Sequence, residues 1–285
     1  MNGEKQVKRL LTVQDISCVG QCSTTVALPI ISACGVECGV LPPAILSNHT
    51  AAGFSGWTFA DLAGEMPKIE ERWKIENIKF DAFYTGYVCE SHIDPILSII
   101  RSCSNPSAIR IVDPAMADGG NLYAGFAPDF PSKMSRLCEG ADYLLPNMTE
   151  AFFLVGEKVV PPSILEKQTE KEIESLIGRL HEIGASTIVL TGVSLDGVTL
   201  GTAVSDGKNV KYDFNPRNPR SSHGTGDVFA SVFSGAVVRG MPADKAAELA
   251  ADFVCECIEA TSADHWYGVS FERALPSLIE RFRTV

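Results

Sequence analysis

At 285 residues, 45% hydrophobic and 21% charged, the chain suits one large α/β domain or two small ones with an ample core. A net charge of -11 excludes a general nucleic-acid binder and a protein that docks on anionic membrane surfaces. No apolar run reaches the ~20 residues that span a bilayer, and Met1-Asn2-Gly3-Glu4-Lys5 is no secretion signal, so a cytoplasmic protein is expected.

Arg9 to Val13 predicts a first, buried strand, and Gln14 to Gly20 the loop after it. Ser23 to Cys34 carries a helical apolar pattern that stops at Gly35, and Val36 to Leu41 predicts a second strand ended by Pro42-Pro43. Strand, helix and strand in that order form a βαβ unit and point to a parallel sheet. Ser47 to Phe54 has loop composition, and Thr58 to Trp73 predicts an amphipathic helix. Phe80 to Thr85 is a strand leading into Gly86-Tyr87, Ile93 to Arg101 a helix, and Ala108 to Val112 a strand delivering Asp113-Pro114. Tyr143 to Leu145 delivers Pro146-Asn147-Met148-Thr149-Glu150 ahead of a helix over Ala151 to Val155. Thr169 to Glu172 fits a capping box and opens a helix to about Ile183. Thr187 to Thr191 is a strand. Val198 to Val204 and Val210 to Phe214, turned at Asp206-Gly207, predict an antiparallel hairpin. Helices beginning at about Asp227, Ala243 and Phe271 close the chain. No composition break divides it, so residues 1–285 are expected to form one domain: an α/β fold with helices on both faces of a mostly parallel sheet. Nine scattered cysteines form no Cys-x-x-Cys pair and five histidines supply no zinc spacing, so buried free thiols are expected.

In such folds ligands bind at the carboxyl ends of the strands. Asp15, Thr50, Tyr87, Asp113, Asp118, Asn147, Glu150 and Thr191 mostly fall at or shortly after predicted strands. The stretch Ser221-Ser222-His223-Gly224-Thr225-Gly226-Asp227 runs straight into an apolar helix, the arrangement by which a chain builds an anion site. Asp227 there is either a helix cap or a group that takes a proton from an attacking hydroxyl beside a phosphate. A Walker P-loop and a Gly-x-Ser-x-Gly elbow are absent, and Gly224-x-Gly226-x-x-Phe229 lacks the third dinucleotide glycine.

Gly224-Thr225-Gly226-Asp227 resembles the C-terminal signature of the ribokinase superfamily. Ser47-Asn48-His49-Thr50, Thr85-Gly86-Tyr87, Asp113-Pro114 and Pro146-Asn147-x-x-Glu150 resemble, in that order, the pyridoxal kinase branch. The resemblance runs from about residue 9 to the last helix and implies a ribokinase-like three-layer αβα sandwich. It implies transfer of the γ-phosphoryl of ATP to the 5′-hydroxymethyl of pyridoxal, pyridoxamine or pyridoxine. By similarity Asp227 is the base, the backbone of Gly224, Thr225, Gly226 and Asp227 is the anion hole, and the helix dipole holds Asp227 ionised. Asp113 and Asp118 match acidic positions around ATP, Mg²⁺ and a monovalent cation. Glu150 matches a glutamate that organises Mg²⁺ through water, and K⁺ activation is a habit of the superfamily. Asn147, Thr191 and Thr225 match nucleotide-contacting positions. Thr50 matches a pyridoxal-ring contact, and Tyr87 a ring-side aromatic where a core aromatic is the alternative. His49 serves either a structural hydrogen bond or the substrate, and Asp118 alternatively caps the turn before Gly119-Gly120.

Two positions depart from the pattern. Asp15 stands where many pyridoxal kinases carry Ser, which favours pyridoxamine or the aminopyrimidine of the sister hydroxymethylpyrimidine kinases. Leu145 stands where relatives often place Thr, against the monovalent-cation site. Arg217 and Arg220 are either a phosphate-reaching flap or solvated loop charges. The expected partners are small molecules and a second copy in a homodimer, with no nucleic acid and no membrane. The competing functions are a hydroxymethylpyrimidine kinase of thiamine synthesis and a non-catalytic pyridoxal or nucleotide sensor.

Overall fold

The computed structural model describes residues 7–50, 53–158, 160–218 and 223–283. The first half comprises β1 (Arg9–Val13), β2 (Ile16–Ser17), α1 (Thr24–Ala33), β3 (Glu37–Val40), β4 (Ala44–Leu46), β5 (Phe59–Asp61), α2 (Met66–Ile75), β6 (Phe80–Thr85), α3 (Glu90–Cys103) and β7 (Ser104–Val112). There follow β8 (Ala117–Asp118), β9 (Asn121–Leu122), α4 (Phe130–Cys138), β10 (Tyr143–Leu144), α5 (Met148–Leu154), α6 (Pro162–Glu166) and α7 (Glu170–His181). The chain closes with β11 (Thr187–Val193), β12 (Thr199–Ser205), β13 (Val210–Pro216), α8 (Thr225–Val238), α9 (Ala243–Ala260) and α10 (Leu275–Phe282).

Eight strands form one sheet in the order β13-β12-β11-β10-β7-β6-β1-β3. Every pairing from β3 across to β11 is parallel, and the β12–β13 hairpin adds the antiparallel edge. The apolar runs that predicted these strands are continuous because both faces are covered. Successive side chains point to opposite faces, so Leu11 and Phe83 enter the core under α2, α3, α4, α5 and α7. Leu10, Ala82 and Tyr84 enter the second core, under α1, α8, α9 and α10. The three layers expected from the sequence are present. A second sheet, β2-β4-β5, sits beside the first, and no described helix is long and apolar enough to cross a membrane.

Several local expectations are corrected. Thr58 to Trp73 is not one helix: Phe59–Asp61 pairs antiparallel with β4, and the helix starts only at Met66. The Asp61 carboxylate accepts the Ala63 N–H at 2.8 Å and turns the chain between them. Helical propensity there yields to the ladder that β4 offers, a tertiary term the sequence does not display. The last helix begins at Leu275, not Phe271, with proline in its first turn. Helices α4 and α6 and the short strands β2, β4, β5, β8 and β9 were not expected, being too short for periodicity to register. The nine cysteines are free thiols, four of them buried.

Candidate active site

Strands β1, β6, β7, β10 and β11 lie side by side and parallel, so their carboxyl ends share one edge, where Asp227 in the first turn of α8 acts on Asp113 beyond β7 and feels Asp15 beyond β1. Gly224 caps α8 with φ +81°, a left-handed conformation that favours glycine. Space demands it too, since a β-carbon at 224 would stand 2.0 Å from the Gln21 carbonyl oxygen. Gly226 is different: among the described residues, and its own helix apart, no atom lies within 4 Å of where its β-carbon would project. Neither strain nor packing among the described residues requires glycine at 226, which stands at the positive end of the helix.

Asp227 is the third residue of α8 and only partly exposed. Burial raises its pKa to about 7, the Ser23 backbone N–H opposes the rise, and the charge of Asp15 adds to it. Burial thus works against the ionised Asp227 that the helix N-terminus was expected to favour. Asp15 is 3% exposed and accepts the Ser17 hydroxyl at 2.9 Å. Burial raises its pKa against the opposing hydroxyls of Ser23 and Ser17.

A second acidic group faces the first. Asp113 follows β7, and burial, then the charges of Glu150 and Asp227, push its pKa well above the carboxylate range. Glu150 accepts from the backbone N–H groups of Asn147 at 2.9 Å, Met116 at 3.1 Å and Ala117 at 3.4 Å. Asn147 returns the bond to the Glu150 N–H, making the capping box of α5, and its amide reaches the Ala117 carbonyl. Burial still lifts Glu150 to about 8, with Asp118 adding to the rise. Asp118 is exposed on the β8–β9 turn, where its carboxylate accepts the Gly119 N–H, as the capping alternative requires. Thr191 pairs with Asn147 in an isolated parallel bridge. Among the described residues, no group of three His, Cys, Asp or Glu side chains is gathered closely enough to hold a metal alone.

On the opposite flank, Tyr87 is partly buried, feels the charge of Asp15, and has its ring 5.3 Å from that of Phe126. His49 is 7% exposed, and burial lowers its pKa; its ring lies 5.2 Å from that of His223. Thr50 is partly buried at the edge of the described segment. Leu145 is packed in the core. Arg217 is exposed at the end of β13, while Arg220, Ser221 and Ser222 lie outside the described residues, as do Ala51 and Ala52.

Asp15, Asp113, Asp118, Glu150 and Asp227 therefore act on one another at one sheet edge. Sequence reasoning missed Ser17, whose hydroxyl donates to the Asp15 carboxylate at 2.9 Å, and Tyr123, which feels Glu150, Asp118, Asp113 and Asp227. It also missed Gln21, whose amide donates to Glu272 at 2.8 Å and whose oxygen meets His265 at 2.6 Å. Gln21 thereby ties the N-terminal loop to the C-terminal segment. No motif announces such a residue, because its partners are 244 and 251 positions away.

The chain as a whole resembles known proteins. The phosphomethylpyrimidine kinase family model matches residues 68–269. A pyridoxal kinase PdxY of Leifsonia xyli is 28% identical over 268 residues, covering 89% of each chain. The structure of a Bacteroides thetaiotaomicron protein, provisionally assigned as a phosphomethylpyrimidine kinase and crystallised with pyridoxal, is 31% identical. It superimposes with a TM-score of 0.87 over 96% of both chains. Pyridoxal kinase from Lactobacillus plantarum gives a TM-score of 0.87 at 27% identity, covering 98% of this chain and 99% of its own.

Proposed function

This chain belongs to the phosphomethylpyrimidine kinase family, and we propose that within it the protein is a pyridoxal kinase. It transfers the γ-phosphoryl group of ATP to the 5′-hydroxymethyl of pyridoxal, pyridoxamine or pyridoxine. The observation that carries this reading is the junction at α8: an open glycine, a helix N-terminus and a carboxylate of matched pKa in one turn.

In this mechanism Asp227 takes the proton of the substrate hydroxyl as its oxygen attacks the γ-phosphorus. The bond to the bridging oxygen breaks, and ADP leaves with the electron pair. A carboxylate near pH 7 suits a general base at neutrality, and a loose transition state asks little base strength of it. The N–H groups of Gly224 to Asp227 receive the charge of the moving phosphoryl. Asp15, His49, Thr50 and Tyr87 line the vitamer side; Asp113, Asn147, Glu150, Thr191 and Thr225 line the nucleotide side.

The acids fit Mg²⁺. The charge of Glu150 raises the pKa of Asp113 and the charge of Asp118 raises that of Glu150, a repulsion that a divalent ion relieves. The lack of a closed cage among the described residues accords with an ion that keeps several waters and leans on substrate phosphates. Asp113, Asp118 and, through water, Glu150 would hold it, and when bound it neutralises phosphate charge. K⁺ activation is proposed with it, without a side-chain oxygen from position 145. A single kinase domain over 1–285, a homodimer and a cytoplasmic location complete the proposal.

The buried carboxylate of Asp15 favours a second reading, kinase action on a hydroxymethylpyrimidine, whose amino group it would accept from. ADP release from Mg·ATP, with each B6 vitamer and hydroxymethylpyrimidine offered separately, tests both. Turnover of a vitamer that collapses in Asp227→Asn supports the proposal; turnover of the pyrimidine alone transfers it to the second reading. Tight binding of pyridoxal without turnover would mark a sensor.

A further inference from the structure

Two neighbouring residues in the loop between β2 and α1 touch the two halves of the site. The Val19 carbonyl accepts the His49 N–H at 2.9 Å. Gly20, at φ +118°, lies so close to His49 that a β-carbon there would stand 2.6 Å from the His49 β-carbon. One residue on, the Gln21 carbonyl oxygen lies against Gly224, 2.0 Å from where a β-carbon would project. The turn is therefore wedged between residues 47–50, on the vitamer side, and the start of the anion loop.

The turn is tied from both ends. The Thr25 hydroxyl is within hydrogen-bond reach of the Gly20 and Cys22 carbonyls, at 3.2 Å and 2.8 Å. The Gln21 amide nitrogen donates to both oxygens of Glu272, at 2.8 Å and 3.0 Å. A carboxylate only accepts, so the amide nitrogen must face Glu272, and Oε1 is left to accept from His265 Nε2 at 2.6 Å. Gly268 closes on the same side chain, with its β-carbon position 2.6 Å from that of Gln21. Any movement of Gln21 carries Gly20 with it, and the two sides of the site then shift relative to one another.

We propose that the Gly20-Gln21 turn is the joint that sets the acceptor side of the site against the anion loop, with Gln21 as its positioning residue. This rests on the kinase reading. Each substrate is held mainly by its own loop, so loosening the joint leaves binding in place and spoils the alignment of the substrate hydroxyl with the γ-phosphorus.

An exchange of groups tests it. Gln21→Glu keeps the side chain's shape but sets a second carboxylate against Glu272, which is exposed and can swing into water, opening the bridge. Gln21→Glu combined with Glu272→Gln lets one amide donate to one carboxylate again, and His265 keeps its acceptor. Gln21→Met removes both bonds without adding charge. Steady-state kinetics with pyridoxal and Mg·ATP, run well below the melting temperature of each variant, read the outcome. Both single variants are expected to lose about tenfold in kcat, part of the ~100-fold that a 1 Å misplacement costs, with the KM for pyridoxal and ATP within about twofold. The exchange is expected to return kcat to within about threefold of the parent protein, so that the two substitutions are not additive. An unchanged kcat in either single variant, a loss confined to KM, or an exchange that leaves kcat low would overturn the proposal. An unsubstituted protein that turns over no vitamer and no pyrimidine would instead overturn the kinase reading, which keeps the two failures distinct.

Discussion

Replacing Gly224 by alanine puts the anion loop to its hardest test. At φ +81° an L-residue is disfavoured by about 1–2 kcal/mol. The new methyl would stand 2.0 Å from the Gln21 carbonyl oxygen, where ~3.5 Å is ordinary contact, so one backbone segment must retreat by ~1.5 Å. Gln21 cannot yield easily, because its side chain is tied to Glu272 and His265. Overpacking of this kind adds roughly 1–3 kcal/mol. The sum, about 2–5 kcal/mol, should lower Tm by on the order of 10 °C. A shift of ~1 Å in the donors should also cost about 100-fold in kcat. Gly226→Ala is the matched control: its β-carbon meets nothing within 4 Å among the described residues outside its own helix and its φ is ordinary, so stability should hold within ~0.5 kcal/mol. If the 224–227 backbone receives the phosphoryl, the methyl at 226 enters the ligand's space, and kcat/KM falls while Tm stays. Differential scanning fluorimetry beside ADP-release kinetics reads both. A Gly226→Ala protein with unchanged kinetics would refute the anion-hole assignment, and a Gly224→Ala protein with unchanged Tm would refute the packing argument.

Other outcomes follow from the same geometry. Because Asp227 must be ionised to accept a proton, kcat/KM should rise with pH through about 7 and level off above it; a profile flat down to pH 5 would exclude Asp227 as the base. The raised pKa also means that the folded state binds more protons than the unfolded between the ordinary aspartate value, ~4, and about 7, so stability falls across that window as pH rises. Asp227→Asn should therefore be inactive yet melt higher than the parent protein at pH 8, and an unchanged or lower Tm would contradict this. Glu150→Gln leaves one acceptor oxygen where three backbone N–H groups now converge, so about 1–3 kcal/mol of stability should be lost and the Mg²⁺ requirement should rise. A Mg²⁺ titration that superimposes on the parent protein's would remove Glu150 from the ion's surroundings. Asp15→Ser should move preference from pyridoxamine toward pyridoxal, and an unchanged vitamer ranking would end the specificity role of that carboxylate.

What the sequence by itself determined is what local chemistry encodes. Largely apolar runs marked Arg9–Val13 and Phe80–Thr85 to the residue, because strands buried on both faces are rich in apolar side chains. Thr169 to Glu172 announced its capping box because both partners lie within one turn. The loop of Gly224 to Asp227 was legible because a left-handed cap calls for glycine. Short pairings such as β4 with β5 were not, since their stability comes from a ladder partner rather than from periodicity. Only the tertiary structure decided the state of the acids. Asp15, Asp113, Glu150 and Asp227 look alike in sequence, but burial raises all four above ordinary carboxylates, and neighbouring acidic charges add to the rise at Asp113, Glu150 and Asp227. The reach of Gln21 to Glu272 and His265 was likewise invisible, because it depends on segments far apart in the chain meeting in the fold.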